Sequence, residues 1–208
     1  MSQDLNLSTS NHALDEETAR AEIYGLLSQL YYAAPSDELL GQLQVAVTEA
    51  PDAGGFLEEP WRELVASARS LSQAQIASEY NSLFGGVGKP EVYLFGSHYL
   101  SGFLNEKPLV RLRDDLAELG LGRSEGMSET EDHVAYVFEV MRFLIAGDDV
   151  AVSNLTRQQA FFNQHVQSWL PALCQVLQSQ PRAVFYARLA AFTEAFISVE
   201  SQGFDLVV

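Results

Sequence analysis

Three polar residues that could carry chemistry stand side by side at Glu131, Asp132 and His133. They precede an apolar helical pattern, so we place them in the first turn of a helix, where the helix dipole favours carboxylates. Ser128 and Glu131 have the spacing of a capping box that would satisfy two free backbone donors there. Capping is the favoured interpretation of the acids. It does not explain His133, because a cationic imidazole is disfavoured at that end of a helix.

The other residues that often carry chemistry are scattered along the chain. The remaining histidines form no pair at helical spacing, and Cys174 is the only cysteine, so disulfides and thiolate zinc sites are excluded. A Glu-x-x-His motif, a P-loop, a dinucleotide fingerprint and a nucleophile elbow are all absent. The run from Gly85 to Lys89 resembles a phosphate loop, but Ser or Thr does not follow and Pro90 blocks a helix. We therefore predict no catalytic residue, no metal site and no cofactor.

The composition limits the partners that the protein can bind. The chain has 208 residues, with 12 Lys and Arg against 28 Asp and Glu, for a formal net charge of −16. Nucleic-acid binding through phosphates needs clustered cations and is excluded, and anionic membranes would repel the chain. A basic partner is the natural electrostatic complement, although charge that serves only solubility is the commoner explanation of acidity.

The sequence also predicts where the protein acts. Residues 1–14 are polar and lack the basic start and apolar core of a signal peptide. No run approaches ~18 continuous apolar residues, so we expect no membrane span. A single cysteine fits a reducing compartment. Together these features predict a cytoplasmic protein.

Apolar residues recur at helical spacing along most of the chain, without a useful alternating strand pattern. We predict an all-α fold, a single globular bundle of about eight to ten helices. Residues 1–14 are expected to form a flexible tail, and residues 15–208 a single helical domain. The helices are expected to begin at Asp15, after the cap Ser36, at Pro60, at Pro108, at Glu131, at Leu155, at Ser168 and at Pro181.

Two stretches between residues 60 and 104 give further expectations. A continuous apolar stripe predicts one long helix from Pro60 to Phe84, ended by Gly85 and Gly86. Residues 85–104 are rich in both glycine and aromatic residues, which is unusual for a loop because buried loop backbone needs hydrogen-bond partners. We expect this loop to be the least regular part of the fold.

Four short motifs, in this order along the chain, resemble one protein family. They are Tyr80 to Phe84, the loop from Leu94 to Leu100, Pro108-Leu109 with Leu112-Arg113, and Glu131 to His133 opening a helix. Together they resemble the TorD/DmsD/NarJ-type cytoplasmic chaperones, the redox-enzyme maturation proteins that serve molybdenum enzymes. The similarity is strongest over residues 76–147.

The resemblance implies a function without catalysis. Family members bind the twin-arginine signal peptide of a molybdoenzyme, or its N-terminal region, hold the apoenzyme for cofactor insertion, and delay export until it is folded. The implied client-binding residues are Leu83, Phe84, Phe95, Gly96, Ser97, Tyr99, Asp132 and His133. A groove lined by Phe84, Leu94, Phe95 and Tyr99 would take the apolar part of the peptide, and Asp132 would face its arginines.

The resemblance also bears on the client. Several relatives carry Pro and Trp before the Gly of the loop, where this chain has Leu94 and Phe95. The sequence from Phe95 to Leu109 is more similar to TorD-like proteins associated with formate dehydrogenases. The implied partner is thus the precursor of the catalytic subunit of a molybdoenzyme. The more specific partner that this similarity implies is a formate dehydrogenase.

Two other functions remain open at this point. The chain could be a helical protein that binds a small molecule or metallocofactor, with Asp132 and His133 as ligands or acid–base groups. It could also be a structural subunit of a redox complex. A peptide should saturate the site of a chaperone, a metal or pterin-like ligand that of the second class, and a structural subunit should co-purify stoichiometrically with its partner.

Overall fold

The computed structural model describes residues 8–48, 55–85, 89–124 and 126–206, most of which are helical. These residues contain ten α-helices and one π-helical segment, and no β-strand, which confirms the all-α prediction. The α-helices are α1 Ser8–Tyr32, α2 Asp37–Val45, α3 Glu58–Ser70, α4 Gln73–Phe84, α5 Gly96–Ser101, α6 Lys107–Glu118, α7 Val134–Ala146, α8 Leu155–Phe161, α9 Leu170–Ser179 and α10 Phe185–Asp205; the π-helical segment, Phe162–Gln167, follows α8 directly.

The core is built around α1, which packs along α7, while α10 packs on α9 and α3. Tyr24 of α1 meets Phe138 of α7 with ring centroids 5.8 Å apart and Phe196 of α10 at 4.9 Å. All three rings are buried. Aromatic pairs of this geometry add about 0.5–1.5 kcal/mol beyond the burial of their area. The packing fixes α7, whose first turn carries the candidate site.

The first helix begins earlier than the sequence pattern indicates. Helix α1 starts at Ser8, not at Asp15, so residues 8–14 are helical where a loose tail was predicted. Residues 1–7 lie outside the described residues. The predicted end of α1 before Pro35 and the predicted cap of α2 are confirmed, because the Ser36 hydroxyl accepts the Leu39 N–H at 3.2 Å.

The long helix predicted from Pro60 to Phe84 is wrong, because two helices occupy that stretch. Helix α3 ends at Ser70, and Ser72 starts α4 with a reciprocal capping box. The Ser72 hydroxyl accepts the Gln75 N–H, and the Gln75 side chain accepts the Ser72 N–H at 2.9 Å. The apolar stripe continues across this break, so periodicity alone conceals it.

The loop predicted over residues 85–104 contains the short helix α5. Gly102 ends that helix in the left-handed conformation, with φ of 80°, which glycine adopts without steric cost. Helix α6 follows with Pro108 in its first turn, as predicted. Within residues 89–104, a short helix thus interrupts the loop before α6 begins.

Boundaries in the last third of the chain also differ from the predictions. The predicted helix from Leu155 to Val166 is α-helical only to Phe161 and continues as a π-helical segment. The last helix starts at Phe185 and not at Pro181. Its first N–H groups are capped by Glu79, a residue more than a hundred positions away in sequence, and no local pattern reveals such a start.

Candidate functional site

Backbone hydrogen bonds join the loop before α5 to the residues before α7. The Gly96 N–H donates to the Asp132 carbonyl at 2.9 Å, and the Val134 N–H donates to the Leu94 carbonyl at 2.8 Å. An antiparallel bridge between Phe95 and His133 results. The two segments of the predicted site therefore form one rigid unit, even though some 35 residues of sequence separate Ser97 from Asp132.

The carboxylate of Asp132 is engaged on both of its oxygens. Oδ2 accepts the Ser97 N–H at 2.9 Å, and Oδ1 accepts the Thr130 hydroxyl at 2.6 Å. The residue is only 4% exposed. Charged acceptors of this kind make the stronger hydrogen bonds in proteins. Asp132 thus holds the first turn of α5 against the start of α7.

His133 is the N-cap of α7. Its Nδ1 accepts the Ala135 N–H at 3.2 Å, which places the ring proton on Nε2. Burial lowers the pKa of His133 to about 4, against the opposing charge of Asp132. The neutral imidazole is an acceptor, which removes the objection to a histidine at this helix end.

The capping box predicted from Ser128 and Glu131 is wrong, because α7 begins three residues after Glu131. Glu131 instead accepts hydrogen bonds from Arg113 of α6, at 3.0 Å from Nε and 2.8 Å from Nη2. Burial acts to raise the pKa of Glu131, but the hydrogen bonds and charge of Arg113, a backbone hydrogen bond and the charge of Arg123 together lower it. The pair ties α6 to the same turn.

Aromatic contacts explain why glycine stands at position 96. A Cβ atom there would lie 3.0 Å from Cε2 of Trp169. That indole is fixed, since Nε1 donates to the His165 carbonyl at 2.6 Å and the ring stacks on Tyr99 at 5.8 Å. The Tyr99 hydroxyl in turn donates to the Tyr93 carbonyl at 2.8 Å. Gly96 allows the loop to pack against α9.

The structure brings six of the eight predicted site residues together and places the other two elsewhere. Leu83 is completely buried, and its carbonyl accepts the Val92 N–H at 2.9 Å. Phe84 packs edge-on against Tyr80 and Tyr186, with centroids 5.0 Å away in both cases. These two residues support the start of the loop. The six that meet are Phe95, Gly96, Ser97, Tyr99, Asp132 and His133.

Sequence reasoning named Phe95 but missed the two tyrosine rings on the other side of His133. Tyr32 at the end of α1 is 44% exposed, 5.8 Å from Tyr136 and 6.3 Å from His133, and Phe95 lies 5.1 Å from His133 on the other segment. We name Tyr32, Phe95 and Tyr136 the aromatic surface. Tyr136 follows His133 by three residues, a helical spacing that could have suggested it. No local spacing points to Tyr32.

A carboxylate accompanies the aromatic surface. The Glu129 side chain has no hydrogen-bond partner among the described residues. Burial, followed by the charge of Glu129, raises the pKa of Tyr80 to about 12. The Ser128 hydroxyl lies 3.4 Å from the Tyr32 hydroxyl, so the adjacent residue Glu129 is also close to Tyr32. Aromatic faces beside a carboxylate suit a guanidinium group.

The alternative that uses Asp132 and His133 as ligands meets a physical difficulty. Both Asp132 oxygens and the His133 Nδ1 already bond to the protein. Within the described ranges, no group of three His, Cys, Asp or Glu side chains is arranged to hold a metal ion.

None of the helices in the described part of the chain combines the length and apolar character that a membrane crossing requires.

The fold and site define an all-helical protein with a partly exposed aromatic surface and no metal centre among the described residues. The model of the nitrate reductase delta subunit family matches residues 51–175, more than half of the chain, so the chain belongs to that family. The chaperone protein TorD of Aliivibrio fischeri is 26% identical over 198 residues, 87% of this chain and 92% of the relative. TorD of Vibrio cholerae is 25% identical over 205 residues, 91% of this chain and 93% of the relative.

Family membership confirms the family that the sequence motifs predicted. This is a TorD-type chaperone of molybdoenzyme maturation and not an enzyme. Chaperones of this type act in the cytoplasm, which is the location that the sequence predicted. The match covers the α5 loop and the start of α7, whereas Tyr32 of the aromatic surface precedes the matched region.

Proposed function

We propose that this chain binds the twin-arginine leader, or the N-terminal region, of a molybdoenzyme precursor, assists cofactor insertion and delays export until the client is folded. The observation that carries the proposal is the partly exposed aromatic surface beside Glu129. Its rings can accept apolar and guanidinium groups of a leader, and Glu129 can pair with an arginine. The net charge of −16 would speed the encounter with a basic peptide.

In this proposal Asp132 positions the binding loop and does not face the arginines. Both of its oxygens are engaged by Ser97 and Thr130, so the residue acts by holding Phe95 and the first turn of α5 in place. His133 acts in the same way through the cap of α7 and its edge contact with Phe95. The shape of the loop depends on Gly96, Ser97 and Tyr99. The start of the loop is supported by Leu83 and Phe84.

The client that we propose first is the precursor of a formate dehydrogenase catalytic subunit. The support is the resemblance of the sequence from Phe95 to Leu109 to TorD-like proteins associated with those enzymes. The precursor of another molybdoenzyme from the same cell is the natural comparison in any binding experiment, because family membership alone does not select among them.

Isothermal titration with a synthetic twin-arginine leader tests the proposal. We expect saturable binding that weakens as salt rises, because part of the attraction is electrostatic. Tyr32→Ala and Glu129→Gln should each reduce the affinity by about five- to thirtyfold, equivalent to about 1–2 kcal/mol. Phe56→Ala is the matched control, since Phe56 is an exposed aromatic residue of the α2–α3 connection.

A leader in which both arginines are replaced by glutamine supplies the second arm. The proposal fails if no molybdoenzyme leader binds, or if the replaced leader binds as tightly as the original. If Tyr32→Ala and Glu129→Gln bind as the wild type does, the leader binds but the aromatic surface is not its site.

A further inference from the structure

The cations of this acidic protein are almost all engaged by its own groups. Nine arginines form ion pairs or hydrogen bonds with carboxylates or carbonyls; they are Arg20, Arg62, Arg69, Arg113, Arg123, Arg142, Arg157, Arg182 and Arg188. Among the described residues, Lys89, Lys107 and Arg111 have no such partner. Two of these three, Lys107 and Arg111, are one helical turn apart on α6 and line the same cavity.

That cavity lies between α5, α6 and the π-helical segment and has a volume of about 370 Å³. Leu100 and Pro108 form an apolar wall, and Gln164 and Ser168 face it from the other side. A cleft of this size accepts one or two side chains of a bound segment. Paired with the two cations, it is suited to a carboxylate on a partly apolar chain.

Neighbouring carboxylates do not neutralise the two cations. Asp115 is engaged by Gln164 at 2.8 Å and His165 at 2.5 Å. Glu106 and Asp114 are close in sequence, but neither lines the cavity nor forms an ion pair. The positive charge of the cleft therefore stays available to a partner.

Apolar side chains are exposed beside the same cleft. Phe103 is 71% exposed in the turn after Gly102, and Val110 is 55% exposed on α6, between the turns that carry Lys107 and Arg111. Leu100 and Leu104 are also exposed. Large apolar side chains that are exposed close together in the chain can mark an interaction surface.

We infer that this cleft, with Leu100, Phe103, Val110, Lys107 and Arg111, docks an acidic and apolar peptide segment of a protein partner. Charge decides the occupant. A chain with a net charge of −16 repels acidic segments over most of its surface, and the two unpaired cations make this cleft an exception. A basic leader is disfavoured here by the same cations. The cleft is thus independent of the proposed leader site and selects the opposite charge.

Selection from a displayed library of random short peptides tests the inference. The wild type should enrich peptides that combine Asp or Glu with aliphatic residues, and these should disappear when the library is selected on Lys107→Gln/Arg111→Gln. Lys89→Gln, which removes the third unpaired cation, is the matched control and should keep them. Resynthesised peptides should lose about tenfold or more in affinity on the double variant, since two ion pairs are removed.

Three results would overturn the inference. They are the absence of acidic peptides from those enriched on the wild type, their retention on the double variant, and their displacement by inorganic pyrophosphate that itself binds as tightly. The last result would make the cleft a site for small anions. Phe103→Ser separates the apolar contribution and should also lower the affinity. Basic, leader-like peptides should persist on the double variant. If such peptides are lost or never enriched, the result counts against the proposed leader site and not against this cleft.

Discussion

The backbone N–H of Ser97 donates a 2.9 Å hydrogen bond to the carboxylate of Asp132, and this bond holds α5 to the segment that precedes α7. Asp132 also accepts the Thr130 hydroxyl and is buried. A local helix cap would contribute only a fraction of a kcal/mol through the dipole. A buried, charge-assisted bond between distant segments contributes more.

Asp132→Asn should therefore lower the free energy of unfolding by about 1.5–3 kcal/mol, because one oxygen becomes a donor and the charge is lost. Urea unfolding measures the change, and leader titration on the same samples should show weaker binding as the loop loosens. Asp148→Asn is the control, because Asp148 is exposed and has no partner among the described residues. A change of only a few tenths of a kcal/mol in Asp132→Asn would show that Asp132 stabilises only the local helix end and not the contact between the two segments.

The second prediction concerns acid stability. Burial lowers the pKa of His133 from 6.5 to about 4, so the unfolded chain binds a proton there at higher pH than the folded chain. The neutral His133 therefore contributes to the free energy of unfolding. Its full contribution is present above pH 6.5, and it falls by as much as about 3 kcal/mol as the pH drops to about 4. Burial also lowers the pKa of His165, against the influence of Asp115, and acts in the same direction.

His133→Asn tests this assignment, because asparagine is a good N-cap but does not titrate in this range. The variant should lose less stability than the wild type between pH 6.5 and 4, with the residual slope left by His165. Unfolding free energies at several pH values, and the His133 resonances followed by NMR, provide the measurements. Parallel stability curves for the two proteins would contradict the assignment.

Sequence patterns predicted correctly those features of the fold that depend on residues close together in the chain. The apolar stripe of α7 and the cap at Ser36 follow from spacing and side-chain chemistry within a few residues. The capping box at Ser72 was equally local, but the apolar stripe that runs across it masked the break. Its recognition would have divided the predicted long helix correctly.

The assembly of the site depends on contacts that no spacing encodes. His133 caps α7 as a neutral base only because Phe95 and neighbouring elements bury it, and burial cannot be deduced from the triplet itself. Tyr32 reaches the site because α1 packs along α7. The family resemblance named Ser97, Asp132 and His133, whereas the hydrogen bonds that Asp132 accepts from Ser97 and that His133 accepts from Ala135 emerge only from the folded chain.

The third prediction concerns a helix cap supplied from another helix. Glu79 of α4 accepts N–H bonds from Val184 at 2.9 Å and Tyr186 at 2.8 Å through Oε1, and from Phe185 at 3.1 Å through Oε2. These donors belong to the N-cap residue and the first turn of α10, and they would otherwise lack partners within the helix. Glu79→Gln should lower the free energy of unfolding by about 1–2 kcal/mol.

A second carboxylate that reaches α10 supplies the control for Glu79. Glu63 of α3 forms an exposed ion pair with Arg188 at 2.8 Å. Surface pairs contribute about 0–1 kcal/mol, so Glu63→Gln should be nearly neutral. Urea unfolding of both variants compares a cap with an ion pair at the same helix. Equal effects would show that Glu79 contributes no more than a surface charge.

The fourth prediction concerns a buried ionic network between α1, α8 and α10. Arg20 donates to both oxygens of Glu200, at 2.7 and 2.9 Å, and to Gln158 at 3.2 Å. The Tyr24 hydroxyl donates to Glu200 at 3.0 Å, and the Glu200 side chain is 4% exposed. Arg20→Met would leave a buried carboxylate without its cation and should cost about 3–5 kcal/mol.

The double variant Arg20→Met/Glu200→Met separates the pair from the cost of isolating one charge. Because apolar residues can replace a buried ion pair with little loss, the double variant should be more stable than Arg20→Met alone. A double-mutant cycle from urea unfolding then gives a coupling energy, for which the exposed Arg62–Glu59 pair is the reference. That surface pair should show a coupling of about 0.5 kcal/mol or less. Additive effects at Arg20 and Glu200 would mean that the two side chains stabilise the bundle independently and that no buried ion pair joins α1 to α10.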